Sequence, residues 1–164
     1  MGMQLPGELI SLLGMLGYTW PEADETKLFE MGQRWVAFGG TLSSGVGEAG
    51  GAGQAVNMAG MGQGFDSFQR AWADPKAPQT LLGKATSGAM VVGVGLIVAG
   101  AVVLVLKISV IVQLVILAFQ IAQAIATAVV TFGASLLEIP IFKIITGLII
   151  DQLIGLALNA IMGE

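Results

Sequence analysis

The chain has 164 residues, 55% of them hydrophobic and only 11% charged, and seven Lys and Arg against eleven Asp and Glu leave a net charge of −4. This is one domain's worth of protein, too apolar for a disordered tail and too acidic to hold a phosphate backbone, which excludes nucleic acid as a partner. Without a single Cys or His there is no disulfide, no thiolate nucleophile, no cysteine zinc site and no imidazole base. No catalytic residue, metal site or cofactor is therefore expected.

Thirteen of the eighteen charges lie before residue 85, and the remaining eighty residues hold only Lys107, Glu138, Lys143, Asp151 and Glu164. The chain thus reads as two regions: an amphipathic helical region over 1–84 and a hydrophobic helical hairpin over 85–164. At the amino end, Leu5, Leu9, Leu12, Leu13 and Leu16 follow helical spacing, with Pro6 in the first turn and Gly17 as the stop. The apolar run Leu9 to Leu16 is too short, and lacks the charged flank, for a secretory signal peptide.

A second helix is predicted from near Pro21, where Glu22, Asp24 and Glu25 suit the positive end of the helix dipole. These three carboxylates read as caps, not as a metal cluster. Leu28, Met31, Trp35, Phe38 and Leu42 form one apolar stripe opposite Lys27, Glu30 and Arg34. Glycines crowd the stretch from Gly39 to Gly53, each weakening a helix by up to about 1 kcal/mol relative to Ala, so the helix is expected to loosen there. A third helix carries Phe65, Phe68 and Trp72 at i, i+3 and i+7 and stops at Asp74-Pro75. Trp35, Phe65, Phe68 and Trp72 are either core residues or anchors for a partner.

The second region is almost free of charge. Ala85 to Leu106 and Ile108 to Leu137 are uncharged runs of 22 and 30 residues, and either is long enough to cross a bilayer. The first run carries a small-residue stripe, Thr86, Ala89, Gly93 and Gly100, of the kind that lets helices approach closely. In the second, Ser109, Gln113, Gln120, Gln123, Thr127 and Thr131 fall on one helical face. These stripes mark either contacts inside a monomer's bundle, or the interior of an oligomer or pore whose apolar backs face lipid or one another. One long helix is predicted through most of the interval from Gly100 to Gly133, then a break at Thr131–Ser135, and a last helix from Ile141.

Leu5-Pro6-Gly7-Glu8-Leu9, Tyr18-Thr19-Trp20-Pro21-Glu22, Phe65-x-x-Phe68-x-x-x-Trp72 and Thr131-Phe132-Gly133-Ala134-Ser135-Leu136-Leu137-Glu138-Ile139-Pro140, in this order, resemble the Trp-x-Gly-type helical domains at the amino termini of actinobacterial polymorphic toxins exported by type VII secretion. The resemblance covers nearly the whole chain. It implies an all-α, non-enzymatic module that is secreted or held at the cell envelope without a Sec signal. Its implied partners are the type VII machinery, a helical partner or a second copy of itself, and members described as channel-like add a lipid membrane. No Trp-x-Gly occurs, and Met58-Ala59-Gly60 is the nearest equivalent. No toxin domain is expected before the end at Glu164. Tyr18 and Glu22 also fit the letters of the type VII export signal, but with Pro21 between them they read better as a packed aromatic and a helix cap.

Overall fold

A computed structural model of the chain describes residues 2–163, in which every regular element is helical and no strand occurs. Five helices follow in order: α1 (Gly7–Met15), α2 (Glu25–Met58), α3 (Gln63–Trp72), α4 (Pro78–Thr127) and α5 (Glu138–Met162), with a single 3₁₀ turn at Ala134–Leu137 ahead of α5. The fold is all-α, as the periodicity implies.

The boundaries differ from expectation in places that have local causes. Helix α2 begins at Glu25 and not near Pro21, because Asp24 Oδ1 accepts the Lys27 N–H at 3.1 Å and so caps the helix four residues later. It also runs unbroken through Gly39–Gly53 to Met58, contrary to the loosening expected from the glycines. Tertiary packing overrides propensity at both flanks of the run: a Cβ on Gly39 would lie 3.0 Å from Met90, and one on Gly53 would lie 2.7 Å from the Trp72 ring. Helix α4 starts at Pro78, a residue suited to a first turn, and takes in the whole small-residue stripe. Helix α5 starts two residues before its proline, at Glu138, with Pro140 in the first turn.

The chain forms two compact units, Met1–Lys27 with Val98–Glu164, and Leu28–Ile97. In the first unit the amino-terminal segment packs on the part of α4 from Val98 onward. Leu5, Leu13, Val110, Leu114 and Ile150 form the core of the first unit, with Leu9, Leu16, Tyr18 and Trp20 packed around them. Gly17 ends α1 with a φ of +87°, a left-handed turn that a side chain would strain, and its N–H reaches the Gly14 carbonyl at 3.0 Å.

In the second unit, α2 and α4 meet through glycines. A Cβ on Gly32 would lie 2.7 Å from the Gly93 carbonyl oxygen, and one on Gly93 would lie 2.8 Å from that of Gly32. The two backbones are as close as helices allow, and Gly39 repeats the contact one level along against Thr86 and Ala89. Helix α3 lays Trp72 on Gly53 and Phe65 on Gly60.

Candidate interaction surface

The one charge that separates the two uncharged runs of α4 is fully used. Lys107 is 2% exposed, and its ammonium donates to the Ala23 carbonyl at 2.6 Å, the Glu25 carboxylate at 2.8 Å and the Met3 carbonyl at 3.3 Å. Three protons meet three acceptors, all from the amino-terminal segment. The Trp20 ring lies 5.7 Å from the same nitrogen, and its own N–H donates to the Met3 carbonyl at 3.3 Å. Burial pushes the Glu25 carboxyl up, but hydrogen bonds from Lys107 and from the Met3 N–H overcome this and hold it at about 2.

Glu25 is thus part of a buried ion pair and not merely a capping charge. The sequence carried a signal for it. A lone Lys between apolar runs of 22 and 30 residues needs a counter-ion, and the acidic cluster at Glu22–Glu25 is a natural source. A second tie lies nearby, where the Tyr18 hydroxyl donates to Asp151 at 2.6 Å and lies 3.0 Å from the Gly147 carbonyl. The hydrogen bond to Asp151, then burial, and then the charge on Asp151 raise the Tyr18 pKa.

Beyond Lys107, α4 has three faces. Val103, Val110, Leu114, Leu117 and Ala124 are buried. Ser109, Gln113, Gln120, Gln123 and Thr127 run along a neighbouring strip, roughly 95° around the helix from that face at 100° per residue. Ser109, Gln113 and Gln120 are half-buried, and Gln123 and Thr127 are exposed. The Thr127 hydroxyl bonds back to the Gln123 carbonyl at 2.9 Å, whereas no hydrogen bond engages the Gln113, Gln120 or Gln123 side chains among the described residues. Thr131 falls outside the helix, in the turn after it, because α4 ends at Thr127.

The third face is apolar and open. Val105, Val112, Val115 and Phe119 on α4, with Ile144, Ile145, Leu148 and Leu156 on α5, are about half exposed or more. The most apolar windows of α4 and of the stretch Ala134–Met162 reach mean hydropathies of 2.9 and 1.9, yet only 22% and 11% of their residues are buried. Both are long and apolar enough to cross a membrane by length and composition. Between α4 and α5 lies a groove of about 330 Å³, lined by Val102, Val105, Leu106, Leu153, Leu156 and small alanines, with Ser109 its only polar side chain.

In the second unit the aromatic stripes lie partly in the open. Met31, Trp35 and Phe38 are 49%, 39% and 50% exposed, because α2 turns Gly32, Val36 and Gly39 to α4 instead. Trp35 and Phe38 meet edge to face at 6.0 Å. Phe68 and Trp72 stack at 5.3 Å, and both are half-buried, as is Phe65. Gly93 and Gly100 are buried on α4. No group of His, Cys, Asp or Glu that could hold a metal ion occurs among the described residues.

A family model described as a WXG100 like domain matches residues 4–148. The chain belongs to the WXG100-like domain family. WXG100-like proteins are helical, associated with type VII secretion and in general not enzymes. They typically pair as helical hairpins and are secreted by type VII systems. No curated protein matches the chain. No solved structure matches it either.

Proposed function

We propose that this chain is a non-enzymatic module of type VII secretion, of the kind that leads a polymorphic toxin, and that it self-associates through its hydrophobic half. The observation that carries the reading is the open apolar face of α4 and α5, on which Phe119 is 70% and Leu156 66% exposed. Contiguous apolar surface on this scale marks an interaction site. A standard pairwise interface buries roughly 800 Å² per partner. A second copy offering the same face would supply such cover, with Lys143 and Asp151 at its edge beside Ile144 and Leu148. The type VII machinery remains the expected partner for export, with Trp35 and Phe38 as exposed anchors and Phe65, Phe68 and Trp72 as supporting contacts.

A second reading is a channel in the cell envelope, with 85–137 and 141–162 crossing lipid and Gln113, Gln120, Gln123 and Thr127 lining the path. What favours it is the set of glutamines that bond to nothing else among the described residues, beside an apolar face. Mass by light scattering or native mass spectrometry, first without detergent and then with it, separates the two. A discrete soluble oligomer without detergent supports self-association. Recovery only from membranes, together with dye leakage from liposomes, overturns it in favour of the channel.

A further inference from the structure

The turn between α4 and α5 presents apolar side chains to the outside. Val129 and Val130 are 86% and 80% exposed, Phe132 is 100% exposed and Leu137 is 75% exposed, with no charge from Ile108 to Leu137. Phe132 also holds a φ of 51°, a left-handed conformation that strains any residue with a Cβ. A turn made only for water would carry Asn, Asp or Gly at such a position.

Most backbone amides of this turn bond within it, those of Val129 and Phe132 excepted. The amides of Ala128, Val130, Thr131, Gly133, Ala134 and Leu136 donate to carbonyls of Ile125, Thr127, Ala128, Thr131 and Gly133 at 2.8–3.2 Å. The Ser135 N–H donates to the Thr131 hydroxyl at 3.3 Å, and the Ser135 hydroxyl to the Ala124 carbonyl at 2.7 Å. The two polar side chains of the turn therefore bond inward. The two amides left over suit the hydrated headgroup boundary, where water can pair them, and not the hydrocarbon centre, which offers them no partner.

The geometry points to residues 128–137 as a bilayer anchor, in which Val129, Val130, Phe132 and Leu137 enter the hydrocarbon edge of one lipid leaflet. Charge placement sets the depth. On the α4 side the next charge is Lys107, about 30 Å from Thr127 at 1.5 Å per residue, but on the α5 side Glu138 follows at once and Lys143 comes about 8 Å later. The α5 charges stay with the headgroups, so the turn enters by roughly 5–10 Å and does not span. A protein partner would instead be met by a polar rim with groups to pair. The anchor does not require self-association, since each copy carries its own turn. With a net charge of −4, binding relies on apolar contact and needs no anionic lipid.

The chain has no Cys, so Phe132→Cys carrying an environment-sensitive fluorophore reports on that position alone, with Ser44→Cys as the control. Added to phosphatidylcholine vesicles, the probe at 132 should shift to the blue and be quenched by lipids labelled near the glycerol end of their chains, while the probe at 44 stays unchanged. Phe132→Asp should lower vesicle partitioning at least about tenfold with helix content and mass unchanged. If Phe132→Asp loses helix content, Phe132→Ser provides the same comparison. The proposal is overturned by equal flotation of Phe132→Asp, by a probe at 132 that stays in water, by quenching strongest at the bilayer centre, or by a need for phosphatidylglycerol. A change in oligomer mass on Phe132→Asp, placing the turn between copies, also overturns it.

Discussion

Lys107→Met should remove about 3–5 kcal/mol of stability, the usual cost of breaking a buried ion pair from one side. Its ammonium satisfies the Met3 and Ala23 carbonyls as well as Glu25. Met, although similar in length, leaves the Ala23 carbonyl without a donor and the buried Glu25 carboxylate without a counter-charge, while the Trp20 N–H stays on the Met3 carbonyl and the Met3 N–H on Glu25. Removing both charges, as in Lys107→Met with Glu25→Leu, should recover most of the loss, because no uncompensated carboxylate then stays buried. The pH dependence carries the same information. Glu25 sits at about 2 in the folded chain against an ordinary 4.5, so its contribution is full above about pH 4.5 and is lost as pH falls through 2. In Lys107→Met burial dominates, the carboxyl shifts up, and the sign reverses, so acidification from pH 7 should stabilise the variant. Urea midpoints at pH 7 and pH 4, with hydrogen exchange of α1 as the local readout, measure both effects. A loss below about 1 kcal/mol, with α1 protection unchanged, would refute the idea that Lys107 anchors the amino-terminal segment.

Other consequences can be checked on the same footing. Gly93→Ala should cost about 1–3 kcal/mol by thermal unfolding, since its Cβ would meet the Gly32 carbonyl at 2.8 Å and neither backbone can yield as a side chain does; Gly95→Ala, in open space, should not destabilise. Leu114→Ala, at a fully buried position, should cost about 2–5 kcal/mol. Gln113→Leu and Gln120→Leu should disturb oligomer mass or vesicle leakage more than Gln4→Leu does, and equal effects would argue against a role for the strip. Tyr18→Phe should lose roughly 1 kcal/mol through its bonds to Asp151 and Gly147. In the parent chain the raised Tyr18 pKa makes that contribution present below about pH 10 and lost as pH rises further.

The sequence by itself determined the helical class, most helix positions and the contrast between a charged first region and a greasy second one. These follow from residue spacing and from where charges are absent, which are local quantities. The order of the motifs was also enough to indicate the family. Three things required the tertiary structure. Continuity of α2 through its glycines depends on Met90 and Trp72 packing against Gly39 and Gly53, and no local propensity contains that energy. Pairing of Lys107 with Glu25 joins residues 82 positions apart; the need for a partner was legible in the lone charge, but the choice among Glu22, Asp24 and Glu25 was geometric. The exposed stripe at Trp35 and Phe38 is the converse case, since apolar spacing identifies a helix face but not what covers it. Here Gly32 and Gly39 of α2 face α4 because they let the two backbones touch, and the aromatics are left at the surface.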